Sequence, residues 1–212
     1  MDKEFIVVFN ADEHPLIGDG CIKLDSAFMD YIAMVLANLR NQEIQVLLVT
    51  AGAIVAGAEQ LGLASYPTQL TEKQAIAAIG QVELIRRYQN IFDEYNHTIG
   101  QVLLARNITD IEKHRRNAKN TFSELFTLGV IPVINENDTV STDDIVQETN
   151  YPLTATVANI VKADIIVRVC KDRLFEIFTS SGTVVKKNKE ELFACIHDFK
   201  HEGAFIPFPV YL

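Results

Sequence analysis

Two short segments carry residue types and spacings that could do chemistry. Ile134-Asn135-Glu136-Asn137-Asp138-Thr139 sets polar groups directly after an apolar run. At the carboxyl end of a strand, the Asn135 amide can donate to a carboxylate and Asp138 can accept from an ammonium. The same residues can instead form an Asx turn with caps. Thr50-Ala51-Gly52-Ala53 follows a second apolar run. A strand leading through glycine into a helix start presents backbone N–H groups to an anion, although a glycine needed only for tight packing would read the same way. A basic cluster, Lys113, His114, Arg115, Arg116 and Lys119, fits a solvated helix face or an anion or partner contact.

Other chemistries find little support. His14, His97, His114, His197 and His201 lack metal-ligand spacing, and the His197/His201 pair has no evident third ligand. There is no serine nucleophile elbow, no CxxC pair, no GxxxxGK[ST] and no GxGxxG. Neither a metal centre nor a common phosphate cradle is expected.

The elements that must position the two segments follow from periodicity. Phe5 to Phe9 reads as a buried strand, and Asp25 can cap a helix with Phe28, Ile32, Val35, Leu36 and Leu39 on one face. Val46 to Val49 returns as a strand, which makes a β-α-β start with functional loops at the strands' carboxyl ends. Ile54 to Leu61 predicts a helix in which Ala56, Gly57 and Ala58 allow another backbone to approach. Thr71-Glu72-Lys73-Gln74 and Thr109-Asp110-Ile111-Glu112 both fit capping boxes, the first opening a long helix toward Tyr95. Val102 to Leu104 and Val130 to Ile134 are strands, and Pro132 predicts a strand start or an edge for the latter. Residues 138–149 suit a hairpin projecting over a cleft. A helix follows from Pro152 to Val161, with a parallel strand over Asp164 to Val169. Then come a short strand at Phe175 to Thr179, a Ser-Gly-Thr turn, a helix start at Asn188 to Glu191 and a final apolar strand-like piece.

At 212 residues and 48% apolar composition, the chain can bury a substantial core as a single domain. Its net charge of -9 disfavours nucleic acid and anionic membrane as partners. No secretory leader or membrane span is expected, and Cys21, Cys170 and Cys195 read as reduced thiols, so a cytoplasmic location is expected.

Several motifs, taken in order, resemble the amino-acid kinase superfamily and, within it, the glutamate 5-kinases. They are Leu48 to Gly57, then Glu72-Lys73-Gln74 with Ala77 to Gln81, then Asn117 to Thr121, then Gly129 to Val140. The resemblance covers about residues 5 to 175. It implies an α/β fold, a three-layer αβα sandwich with a mainly parallel central sheet. It also implies transfer of the ATP γ-phosphoryl to the glutamate γ-carboxylate in proline biosynthesis. Carried onto this sequence, it gives Thr50, Gly52, Ala53, Asn135, Asp138 and Asn150 as substrate-binding residues, and it implies a homo-oligomer. Residues 1–165 would form the acceptor-binding part and 166–212 a reduced, truncated nucleotide-binding part.

The sequence departs from the family pattern on the phosphate side. Phe9-Asn10-Ala11-Asp12-Glu13 stands where the family has Lys-x-Gly-Thr-Ser, Ala51 replaces a serine, and Glu148-Thr149-Asn150-Tyr151 replaces Gly-Asp-Asn-Asp. Cys170-Lys171 replaces Thr-Asp, Leu174-Phe175-Glu176 replaces Gly-Leu-Tyr, and a later glycine-rich segment with a phosphate-binding lysine is missing. Carboxylates near a transferring phosphoryl oppose its transition state. Lys186, Lys187 and Lys189 offer a noncanonical replacement or only a solvated basic turn. These departures imply a catalytically impaired homologue with no catalytic residue retained, one that binds a small carboxylate such as glutamate or regulates a protein partner. The alternatives are a divergent ATP-dependent glutamate 5-kinase, with ATP and Mg²⁺, and a structural interaction protein that binds no ligand.

Overall fold

In the computed structural model, the described residues are 4–12, 22–105, 111–139, 150–178 and 184–202, with 184 and 201–202 described by backbone alone. Among these residues, seven strands make one sheet in the order β3-β4-β2-β1-β5-β6-β7. In chain order these are β1 (Ile6–Ala11), β2 (Gln45–Thr50), β3 (Ile99–Leu104), β4 (Ile131–Glu136), β5 (Ile165–Val169), β6 (Phe175–Phe178) and β7 (Val184–Lys187). The first five are mutually parallel, β6 runs antiparallel to β5, and β7 runs antiparallel to β6. The helices are α1 (Ser26–Asn41), α2 (Ala53–Leu61), α3 (Leu70–Glu94), α4 (Glu112–Thr127), α5 (Tyr151–Val161) and α6 (Lys189–Glu202).

Strand alternation sorts the core onto the two faces of the sheet. Val7, Phe9, Leu48, Val133 and Val167 pack with α1, α2, α3 and α6, whereas Val8, Val49, Ile134 and Ile166 pack with α4 and α5. The result is the expected three-layer αβα sandwich. Because both faces are covered, β1, β2 and β4 read as nearly continuous apolar runs rather than alternating ones.

The helix ends show which local signals held. Asp25 caps α1, its carboxylate accepting from the Phe28 N–H at 3.0 Å. The Thr71 box does not form: α3 begins one residue earlier, at Leu70, with Gln69 in the cap position and no side-chain cap, so Thr71 lies inside the first turn. Likewise α4 begins at Glu112 with Ile111 as an uncapped start, and Thr109 lies outside the described residues. A reciprocal box does form at α6. There Asn188 Oδ1 accepts from the Glu191 N–H at 2.9 Å, and Glu191 Oε2 accepts from the Asn188 N–H at 3.1 Å.

Pro132 proves to mark a strand start, since β4 lies inside the sheet between β3 and β2. It precedes the β2 pairing, which runs over Leu48 with Val133 and Val49 with Ile134. Lys186 and Lys187 are not in a turn but end strand β7, which the antiparallel pairing with β6 carries through Lys187 opposite Phe175. The expected hairpin over 138–149, the Ser-Gly-Thr turn and the final apolar piece fall wholly or largely outside the described residues. None of the described helices is long and apolar enough to cross a membrane.

Candidate functional site

Parallel strands direct their carboxyl ends to one edge of the sheet, and the polar segments picked out by sequence gather there. Thr50 closes β2, and Asn135 is the penultimate residue of β4. Together with Gln81, Leu84 and Ile85 from α3, Gln101 from β3 and Val133, they line a shallow indentation that opens to solvent. It is too small to enclose a ligand and forms one wall of the candidate site.

The wall is fixed by buried hydrogen bonds. The Thr50 and Tyr88 hydroxyls lie 3.0 Å apart, and Tyr88 is fully buried, so burial pushes its phenol far above the usual range and keeps it neutral. Gln81 Nε2 donates to the Glu136 carbonyl at 3.2 Å and Gln81 Oε1 accepts from Gln101 Nε2 at 3.4 Å. Asn135 is the exception. Its Oδ1 accepts from the Glu136 N–H at 2.9 Å, but its Nδ2 is buried without a hydrogen-bond partner. An unspent buried donor in a cleft wall suits a ligand oxygen.

Gly52 starts α2 in a left-handed conformation, φ 96°, with no side-chain cap. The first N–H groups of α2, beginning at Ala53, therefore face the carboxyl end of β2 with the positive pole of the helix behind them. Gly80 fixes how closely α3 approaches this corner: a Cβ there would lie 1.7 Å from the Ala53 carbonyl oxygen and 2.5 Å from the Gly57 nitrogen. Gly52 thus turns the chain into the helix, while Gly57 and Gly80 permit contact between the two helices.

Asn150 joins this corner to β1. Its Nδ2 donates to the Thr50 carbonyl at 2.6 Å, and its backbone N–H donates to Asp12 Oδ1 at 2.9 Å. It stands at the cap position of α5, where its carbonyl accepts from the Thr154 hydroxyl. Burial pushes the Asp12 carboxyl above the usual range, against the opposing effects of the Asn150 N–H and the Arg168 charge. Arg168 is itself paired with Glu176 at 2.9 Å. Asp138 is half-buried in the turn after β4.

Lys186 is not part of this corner. It pairs with Asp172 at 2.8 Å and lies in β7, five strand positions from β4. Strands are about 4.8 Å apart, so roughly 24 Å of sheet separates it from Asn135. A carboxylate stands at the end of β1, and Arg168 and Lys186 each pair with an acidic residue. Sequence reasoning missed Tyr88 and Gln101, because an aromatic on a helix and a glutamine in a strand carry no chemical signature of their own. Gln81 was legible only as part of a longer motif.

The model of the amino acid kinase family matches residues 17–173. Glutamate 5-kinase of Listeria innocua serovar 6a is 42% identical over 156 residues, covering 72% of this chain and 56% of the relative. Glutamate 5-kinase of Lactococcus lactis subsp. lactis is 38% identical over 159 residues, covering 73% of this chain and 59% of the relative. The chain thus spans little more than half the length of these relatives. Among solved structures, UMP kinase from Bacillus anthracis aligns with a TM-score of 0.49 at 13% identity, covering 79% of this chain and 66% of that one.

Proposed function

The chain belongs to the amino acid kinase family, and from that premise we propose that it is a glutamate 5-kinase-like protein that binds a small carboxylate but transfers phosphoryl groups poorly or not at all. The observation that carries the proposal is Asp12, a half-buried carboxylate at the end of β1 held by the Asn150 N–H. Phosphoryl transfer places negative charge on oxygens that need cations or N–H donors around them. Each 1.4 kcal/mol of transition-state stabilisation lost costs about tenfold in rate, and a carboxylate in that position repels where a lysine would attract.

Support for carboxylate binding comes from the other side of the corner. Asn135 Nδ2 is an unspent buried donor, and the N–H groups at the start of α2 converge on the same end of the sheet. A ligand carboxylate would accept from these groups, and Asp138 would accept from its ammonium. Residues 1–165 would then form the acceptor part and 166–212 a reduced remnant of the nucleotide part. A second copy of the chain would cover Ile79 and Val82 on α3 and Leu103 on β3, large apolar residues left exposed in the single chain.

The test is a pair of measurements on the purified chain. Calorimetric titration with glutamate is expected to show saturable binding that is lost in Asn135→Ala, and an assay for glutamate- and ATP-dependent ADP formation is expected to show no robust turnover. Turnover abolished by Asp138→Ala would overturn the impaired reading. It would favour a divergent ATP-dependent glutamate 5-kinase, the reading supported by 42% identity to such an enzyme. Absence of glutamate and nucleotide binding, together with a stable partner complex, would favour a structural interaction protein.

A further inference from the structure

Tyr88 of α3 is fully buried, and its hydroxyl lies 3.0 Å from that of Thr50. Each of the two hydroxyls carries one proton. The Thr50 hydroxyl also stands 3.2 Å from the Ala51 carbonyl oxygen, which can only accept. Were Thr50 to spend its proton on the phenol oxygen, the buried Tyr88 proton would be left without an acceptor. The arrangement that satisfies both protons runs in one direction: Tyr88 donates to Thr50, and Thr50 donates to Ala51.

That direction fixes a peptide plane. The bond between Ala51 and Gly52 is trans, so its N–H points opposite to its carbonyl. With the carbonyl turned onto the Thr50 hydroxyl, the Gly52 N–H is turned away from it. The neighbouring backbone atoms are already committed. The Thr50 carbonyl accepts from Asn150 Nδ2 at 2.6 Å, the Ala51 N–H donates to the Ala11 carbonyl at 3.2 Å, and the Gly52 carbonyl accepts from the Ala56 N–H at 2.9 Å. No backbone carbonyl among the described residues accepts from the Gly52 N–H. Asn135, in the same wall as Thr50, supplies an independent sign of a ligand there: it is 5% exposed, and its Nδ2 is a donor without a partner.

We infer that Tyr88 is a positioning residue for carboxylate binding: through the Thr50 hydroxyl and the Ala51 carbonyl, it holds the Gly52 N–H in place for an oxygen of the ligand. The inference rests on the carboxylate-binding reading and deepens it by naming the group that sets the direction of one donor. Tyr88 is enclosed and touches no ligand; it acts two hydrogen bonds away. A donor aimed in advance binds more tightly, because its ordering does not have to be supplied on association.

Two measurements on the full chain test this. In the ligand-free protein, the Gly52 backbone amide resonance is expected to move in Tyr88→Phe, which keeps the ring and removes only its hydroxyl. An unmoved Gly52 resonance overturns the inference. In calorimetric titration with glutamate, Tyr88→Phe is expected to bind about fivefold more weakly than the wild type. Thr50→Val is expected to lose about as much, the double variant no more than either single one, and Thr50→Ser, which keeps the hydroxyl, to stay near the wild type. Unchanged affinity in Tyr88→Phe, or losses that add in the double variant, refutes the relay, since a phenol that only supports packing has no reason to couple to the Thr50 hydroxyl. A wild type that takes up no glutamate defeats the carboxylate-binding reading instead, and the ligand-free Gly52 resonance then decides the positioning role by itself.

Discussion

At the Thr50 end of the cleft, the Thr50 hydroxyl is held between the Ala51 carbonyl, to which it donates at 3.2 Å, and a buried phenol. Tyr88 is fully enclosed, and its phenol meets the Thr50 hydroxyl at 3.0 Å. Tyr88→Phe removes that partner while keeping the ring's packing, so it is expected to cost about 1 kcal/mol in urea unfolding. Asp12 makes a different prediction. Burial raises its folded pKa, so near neutral pH the folded state carries a carboxylate charge less favourably than the unfolded chain does. Asp12 thus contributes most to stability below its ordinary value of 3.8, and the contribution is lost as pH rises through the elevated folded value. Asp12→Asn is therefore expected to gain stability relative to the wild type as pH rises from about 4 to 7. Unfolding both proteins across that range checks the sign, and a relative gain on acidification would refute it.

Among the elements, the α2–α3 pair does most to shape the site. It is held not by large side chains but by their absence: an added Cβ at Gly57 would lie 2.2 Å from the Ile76 carbonyl oxygen, and one at Gly80 would lie 1.7 Å from that of Ala53. Gly80→Ala must push the two backbones apart, with an expected cost of about 3 kcal/mol by denaturant unfolding. Because Ala53 begins α2, the same variant is expected to weaken glutamate binding even where it remains folded. Further along α3, burial raises the Glu83 pKa, but hydrogen bonds from Arg87 and Arg86 outweigh it and hold the group below its usual value. Arg87 also reaches Glu59 at 2.9 Å, which ties α3 back to α2.

Across the whole molecule, sheet order governs which charges can cooperate. Asn10, Arg168, Glu176 and Lys186 fall in one register row across β1, β5, β6 and β7. Glu176 faces Arg168, and Lys186 turns to Asp172, so the basic residues at this end of the sheet are met by acidic partners before any ligand arrives. Lys186→Ala is expected to leave glutamate affinity unchanged, since about 24 Å of sheet lies between it and Asn135. A loss of affinity in that variant, measured by calorimetry, would mean that β7 reaches the site by a route the sheet does not provide.

The sequence by itself determined the layered fold and the place of the polar segments. Apolar runs such as Val46 to Val49 and Val133 to Ile134 have to be buried on both faces, and their polar successors Thr50 and Asn135 must then emerge together at the carboxyl edge. It also showed an acidic residue, Asp12, where the resemblance implies a basic phosphate-binding segment, because a residue type is legible without coordinates. Only the tertiary structure decided what the replacement does. Asp12 finds the N–H of Asn150, 138 residues away in sequence, and Thr50 meets Tyr88 across 38 residues. Hydrogen bonds at such separations follow from strand order and helix approach rather than from local pattern. For the same reason the Thr71 pattern failed where Asn188 succeeded: a capping sequence becomes a cap only if the packed helix begins beside it.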